Sequence, residues 1–250
     1  MSGRTRPAPH LRTPRPRAQC HLLIDFDGTV APDDPTDRLL ERFAHPAWLD
    51  IEAAWQAGRI SSRECMARHT ELLRVTPGDL DAAIRSMRID PSFHAFVDFC
   101  RRRALDVTIV SDGFDRVVQT LLEAEGLPLR FFANRLEWQG GDLWRLGFPY
   151  MQVDCRSQAG NCKCSHGVDQ PGACVVIGDG RSDFCMAERA DYVIAKGALA
   201  HFCRERGLQH ASFHTFDDVT AHLARWLARR TRAPRGNRSP REEQPWDRRN

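Results

Sequence analysis

Short apolar runs separated by helical patterns recur along most of the chain, and this alternation narrows the fold more than any single residue does. The runs "HLLIDF" ending near residue 26, "DVTIVSD" near 112, "LRFFA" near 133, "ACVVIGD" near 179, "DYVIA" near 195 and "ASFHTF" near 216 read as strands. Between them lie segments such as "FDRVVQTLLEAEG", in which Val117, Val118, Leu121 and Leu122 share one helical face and Gly126 ends it. Strands alternating with helices specify an α/β fold: a doubly wound, Rossmann-like core with a mostly parallel sheet covered on both faces. In such a sheet ligands gather at the carboxyl ends of the strands.

The alternation breaks once. Residues 31–89 carry no convincing strand, only helix signals: "HPAWLDIEAAWQAG", then Ser61 with Glu64 as a capping box, then Thr76, Pro77 and Asp79 opening another helix. This stretch reads as a helical cap inserted into a core made of residues 19–30 and 90–228. The core resumes at Asp90 and Pro91, a helix start for "FHAFVDFCRRRA". "NRLEWQGGDLWRL" alternates around Gly140 and Gly141 and predicts a hairpin.

Charge is distributed unevenly. The formal net charge is +3, yet residues 1–18 hold five Arg and no acid, and residues 229–250 hold eight Arg against three acids. The remainder is therefore net negative, so the basic balance comes from the ends and is poor evidence for a nucleic-acid-binding fold; nucleic acid is an unexpected partner, with binding by the tails the lesser alternative. Rich in Pro and Arg and poor in large apolar groups, both ends read as disordered tails. No apolar run approaches the roughly 18 residues of a membrane helix, and nine Cys spread through apolar segments suit a reducing compartment better than a disulfide framework. A cytoplasmic enzyme is the expectation; the pattern leaves oligomeric state open.

The chemistry-bearing residues sit at strand ends. In "LLIDFDGTV", Asp25 and Asp27 lie two apart and emerge on one side of the chain, just before a turn at Gly28. Two such charges repel by about 4 kcal/mol at 4 Å and an effective dielectric near 20, so a cation or a proton must offset them. "VVIGDGRSD" places Asp179 and Asp183 across a Gly-rich turn entering a helix, where an N-cap acid and a first-turn acid are the plainer reading. "VTIVSDGF" ends another strand with Ser111, Asp112 and Gly113, a hydroxyl and backbone amides suited to an anion.

Taken together, "DFDGT" (25–29), "VSDG" (110–113), the lone Lys163 in "GNCKC" and "GDGRSD" (178–183) resemble the four motifs of the haloacid dehalogenase superfamily of phosphatases, in that family's order and spanning residues 22–195. The insert resembles the small cap of the phosphoserine phosphatase branch. Within it, "HPAWLDIEAAWQAGRISSREC", "VSDGFD" and the Cys-bearing approach to Lys163 look most like the methionine-salvage group, phosphatases of 2-hydroxy-3-keto-5-methylthiopentenyl 1-phosphate, and the related phosphoethanolamine/phosphocholine phosphatases. The resemblance implies a small phosphorylated metabolite as substrate and Mg2+ as cofactor, held by Asp25, a backbone carbonyl at Asp27, Asp179 and Asp183. It also implies Asp25 as nucleophile, Asp27 as acid and base, and Ser111, Asp112, Gly113 and Lys163 around the phosphate. Phosphoserine or phosphocholine are alternative substrates. A reading of another class, a non-catalytic binder working through its basic tails, is disfavoured by retention of all four acids.

Three further features have bland and sharp readings. Cys155, Cys162, Cys164 and His166 are spaced unlike the usual zinc patterns and read as ordinary thiols. Trp48 and Trp55, seven apart on one helix, read as interior residues of the cap, not as ligand-stacking groups. Arg63, Glu64 and Arg68 read as a solvated helix face.

Overall fold

In the computed structural model, which describes residues 20–168 and 170–232, the apolar runs become seven strands: β1 (Cys20–Ile24), β2 (Asp106–Phe114), β3 (Arg130–Gly140), β4 (Leu143–Gly147), β5 (Ala173–Gly178), β6 (Tyr192–Ala195) and β7 (His210–Ser212). The helices among the described residues are α1 (Pro35–Phe43), α2 (Trp48–Gln56), α3 (Ser62–Leu72), α4 (Pro77–Ser86), α5 (Phe93–Arg102), α6 (Asp115–Ala124), α7 (Phe184–Ala187), α8 (Gly197–Glu205) and α9 (Phe216–Arg232). The strands form one sheet in the order β4-β3-β2-β1-β5-β6-β7, parallel except for the β3–β4 hairpin. Gly140 and Gly141 make that turn with φ of 107° and 57°, a region that favours glycine.

Side chains alternate across the sheet, and both faces are buried. Leu22 and Ile24 of β1, with Val175 and Ile177 of β5, enter one apolar cluster; Leu23, Cys174 and Val176 enter the other. Each fully buried Leu, Ile or Phe contributes about 1.5–3 kcal/mol of transfer free energy. No helix among the described residues is long and apolar enough to cross a membrane.

The helices α1–α4 are the regular elements of the 31–89 stretch, with Ser61 accepting from the Glu64 amide at 3.1 Å and Thr76 from the Asp79 amide at 3.3 Å. Its four helices are not equivalent. Leu39, Leu40, Leu80, Ala83 and Ile84 of α1 and α4 join the same buried cluster as Phe114, Val117 and Val118 at the sheet and α6. By contrast α2 has no fully buried residue, and α3 buries Cys65, His69 and Thr70.

Three details depart from the sequence reading. The β7 run stops at Ser212 because Phe213 turns inward and Phe216 starts α9, where Asp90 accepts from the Phe216 amide at 3.1 Å. The last helix continues to Arg232, past the boundary at 228, with the Arg230 guanidinium 4.8 Å from the centre of the Trp226 ring. α1 went unread, although "DPTD" is a start signal: Asp34 caps it, Pro35 occupies its first turn and the Asp37 amide donates back to Asp34 at 3.1 Å. Residues 1–18 and most of 229–250 lie outside the described residues.

Candidate active site

Register brings the four motifs to one place. Ile24 pairs with Ile109 on one side and Ile177 on the other, so Asp25 leaves β1 one residue short of the levels of Ser111 and Asp179, although β2 itself runs on through Ser111–Gly113 to Phe114 and does not end there as the sequence reading has it. Asp25 follows directly, its amide donating to the Ile177 carbonyl at 2.9 Å, and is buried. Gly28 (φ 71°) turns the chain hard against β5; a Cβ there would lie 2.6 Å from an oxygen of Asp179. Thr29 then donates to that carboxylate at 2.7 Å. A strand end, a left-handed glycine and a hydroxyl thus set two acids side by side.

Lys163 enters from a short 3-10 turn after the hairpin, with 2% of its surface exposed. Its ammonium donates to Asp25 Oδ1 at 2.6 Å, Asp183 Oδ1 at 2.7 Å and Ser182 Oγ at 2.8 Å, which uses all three of its protons. The second oxygen of Asp183 accepts from the backbone amides of Asp179 and Gly180, both at 3.2 Å. Carboxylate oxygens of Asp25, Asp179 and Asp183 all lie within 4.8 Å of one another.

Asp27 is held separately. One oxygen accepts from Thr36 Oγ1 at 2.9 Å and the Thr36 amide at 3.3 Å, the other from Ser111 Oγ at 2.7 Å. The Gly113 amide donates to Ser111 Oγ at 2.9 Å, and a Cβ on Gly113 would lie 2.6 Å from Asp27. The Ser111 hydroxyl is fully buried behind Asp27. Asp112 is tied into the wall: it accepts from the Asn161 amide at 2.9 Å, from Asn134 Nδ2 at 3.1 Å and from Ser62 Oγ of α3.

The site is electrostatically loaded. Burial, then Asp183, push Asp25 well above the usual carboxylate range, with Lys163 opposing. Burial and Asp183 raise Asp179 as well. Burial would lower Lys163, but Asp183 and Asp25 overcome it and hold the ammonium charged. Burial and the nearby Asp27 raise Asp34 to about 8, and burial raises Asp37 to about 6. A hard divalent cation among three oxygen donors answers this surplus of acids, so the donor set fits Mg2+.

A cavity of about 170 Å³ opens above these groups and is roofed by Glu52, Trp55, Cys65, Met66 and His69 from α2 and α3. Trp55 therefore departs from the reading as cap interior: it lines the cavity, with the Arg181 guanidinium 5.8 Å from its ring centre. Trp48 does pack against the core cluster. Thr36, Ser182 and the roof residues were missed. Thr36 lay in the unread "DPTD" signal, whereas nothing local marks Ser182 or His69. Of the Cys group, Cys162 and Cys164 have sulfurs 3.3 Å apart, and Cys185, absent from that grouping, lies 3.1 Å from Cys164. His166 turns away to stack on Phe132 and contact Asn161 at 2.5 Å.

The comparisons agree with this geometry. A 2-hydroxy-3-keto-5-methylthiopentenyl-1-phosphate phosphatase from Geobacillus kaustophilus is 36% identical over 216 residues, covering 83% of this chain and 96% of the relative. Another from Exiguobacterium sp. is 30% identical, covering 81% and 96%. Among solved structures, a substrate-bound phosphoserine phosphatase superposes with a TM-score of 0.63 at 18% identity, covering 83% of this chain and 99% of that one. A HAD-family hydrolase from Salmonella enterica serovar Typhi gives 0.63 at 20%, covering 80% and 69%. The family model for haloacid dehalogenase-like hydrolases matches residues 22–188. With its strand-end acids, buried lysine and sheet order all in accord, this chain belongs to the haloacid dehalogenase-like hydrolases.

Proposed function

We propose that the protein is a Mg2+-dependent phosphatase that hydrolyses a small phosphate monoester through a phosphoryl group carried on Asp25. The observation behind this reading is the division of labour between two adjacent aspartates. Asp25 lies among Lys163, Asp179 and Asp183, while Asp27 is held apart by Thr36 and Ser111.

Asp25, Asp179 and Asp183, with the backbone carbonyl of Asp27, would hold the ion, which offsets negative charge and polarises the phosphoryl oxygens when bound. Lys163 contributes a second fixed positive charge against those oxygens as the bond to phosphorus shifts. An Asp25 oxygen attacks phosphorus, and the leaving oxygen takes a proton from Asp27. Water then attacks phosphorus, giving a proton to Asp27, as the bond to Asp25 breaks and inorganic phosphate leaves with the Asp25 carboxylate regenerated. Ser111 would exchange its bond to Asp27 for one to a phosphoryl oxygen, and the Gly113 backbone leaves room beside it. Asp112, whose carboxylate already accepts from three residues, positions this wall and offers its backbone side to the phosphate.

Residues 31–89 act as the cap. α1 and α4 anchor it, while α2 and α3 cover the site, exclude water and read the leaving group. Trp55 and Met66 give the roof an apolar, sulfur-bearing part that suits a methylthio tail. On this ground, and on the names of the relatives, the substrate is 2-hydroxy-3-keto-5-methylthiopentenyl-1-phosphate. The nine cysteines, none of them paired in a disulfide, support a reducing, cytoplasmic setting.

The test is a panel of small phosphate esters assayed with Mg2+, with Asp25→Asn as the blank. A preference for the methylthiopentenyl ester above about tenfold, or ~1.4 kcal/mol in transition-state binding, supports the assignment. A flat profile overturns the substrate, and equal turnover by Asp25→Asn overturns the mechanism.

A further inference from the structure

The cavity roof holds a second set of donor groups, separate from the three acids below it. Cys65 and His69 lie one turn apart on α3, so their side chains share a face. Glu52 reaches the same point from α2. Cys65 Sγ is 3.8 Å from Glu52 Oε2 and 3.8 and 3.6 Å from His69 Nδ1 and Nε2. Among the described residues, two groups have donor atoms that all lie within 4.8 Å of one another: this trio and Asp25–Asp179–Asp183. Two ligands bound at about 2.3 and 2.1 Å to a tetrahedral ion stand about 3.6 Å apart. Both distances from the Cys65 sulfur are close to that value, and the Glu52 and His69 donors lie within 4.8 Å of each other.

We propose that Glu52, Cys65 and His69 form a second metal site, for a borderline-soft divalent cation such as Zn2+, with its fourth position open to the cavity. A thiolate, an imidazole and a carboxylate make a zinc donor set, whereas Mg2+ takes oxygen. His69 Nε2 lies 3.2 Å from the Trp48 carbonyl. In the tautomer that donates the Nε2 proton there, Nδ1, 3.8 Å from the Cys65 sulfur, carries the free lone pair, and an outer acceptor of this kind orients a ligating histidine. Three protein ligands and one open position distinguish a reactive or substrate-binding zinc site from a closed structural one.

The charge around the trio favours a cation. In the cavity lining the acids outnumber Lys163 and Arg181, and a second divalent ion in the roof would ease entry of an anionic ester. Burial, helped by Glu52, pushes the Cys65 thiol up to about 12, and burial lowers His69. The empty trio thus holds a protonated thiol and a neutral imidazole, and ion uptake releases the thiol proton to solvent. The other sulfur group differs: Cys164 contacts Cys162 and Cys185 at 3.3 and 3.1 Å, but the three are not among the groups whose donor atoms all lie within 4.8 Å of one another.

The site is tested without substrate, so failure of the phosphatase reading leaves it standing. The full chain, stripped of metal, is titrated with Co2+ as a spectroscopic probe and then with Zn2+, while circular dichroism checks that each variant folds. The expected result is a thiolate-to-cobalt charge-transfer band that saturates at one ion and is displaced by Zn2+. It disappears in Cys65→Ser and persists in Cys164→Ser. Glu52→Gln, a milder change on the half-buried α2, keeps the band but weakens binding by about tenfold or more, the scale seen when a metal site loses even an outer partner. A band that is absent in the native protein, survives Cys65→Ser, or vanishes in Cys164→Ser overturns the proposal, as does unchanged affinity in Glu52→Gln.

Discussion

The floor and the roof of the cavity are built by different rules. On the floor, Asp25, Asp179 and Asp183 hang from strand ends or the turn just after one, and Lys163 makes three hydrogen bonds among them. The sheet registers fix their positions, because β1 pairs with both β2 and β5. The roof has no such frame. Its residues come from α2, which has no fully buried residue, and from α3, which touches the floor through the Ser62–Asp112 hydrogen bond. A floor fixed by the sheet beneath a roof whose outer helix, α2, has no fully buried residue suits an enzyme whose chemistry is constant and whose leaving-group recognition varies, since local stability is lowest where few apolar contacts are made.

Breaking the floor should have the largest effect. Asp25→Asn should lower phosphate release from an aryl phosphate by about 10³-fold or more, the scale at which removing a nucleophile acts; a loss under tenfold would remove Asp25 from the reaction. Lys163→Met leaves buried acids without their partner and should destabilise the metal-free protein by roughly 3–5 kcal/mol, read from denaturant melts. Mg2+ should recover part of that loss.

The boundary between the regions is sharpened by Thr36, which comes from the anchored α1 yet serves the floor. Thr36→Val removes the hydroxyl bond to Asp27, leaves the amide one in place, and should raise the barrier behind kcat by about 1–3 kcal/mol with KM little changed. A shift in KM alone would move Thr36 to substrate binding. Roof changes should be smaller on chemistry and selective between substrates: Trp55→Ala should alter the ranking in an ester panel while changing kcat for an aryl phosphate less than about tenfold.

The smallest expected effect concerns pH. Asp34 is raised from 3.8 to about 8 and Asp37 to about 6, so each binds its proton more tightly in the folded state. The stability each adds is complete below pH 4. It is lost as pH rises, through about 6 for Asp37 and about 8 for Asp34. The metal-free protein should therefore melt a few degrees lower at pH 8.5 than at pH 5. Asp34→Asn, which keeps the helix cap, should flatten that slope; an unchanged slope would sink the assignment.

The floor was legible because its parts are marked locally. An apolar run ending in Asp-x-Asp-Gly, a second ending in Gly-Asp-Gly, and a hydroxyl after a third are visible without knowing where they meet. The roof was not. Trp55 read as interior because heptad spacing shows which residues share a face of a helix but not what that face meets. Cys65 and His69 are an i, i+4 pair whose meaning depends on Glu52, and that contact needs the crossing of α2 over α3.

Period and motif therefore determined most of the sheet, the helical nature of the insert and the acids that follow β1 and β5, since strand and helix periodicity follow from local backbone geometry. Tertiary structure decided which carboxylate oxygens face Lys163, that Thr36 and Ser111 share Asp27, and what lines the roof. Those choices depend on strand register and helix crossing, which arise from contacts between residues far apart in the chain, and no local pattern encodes them.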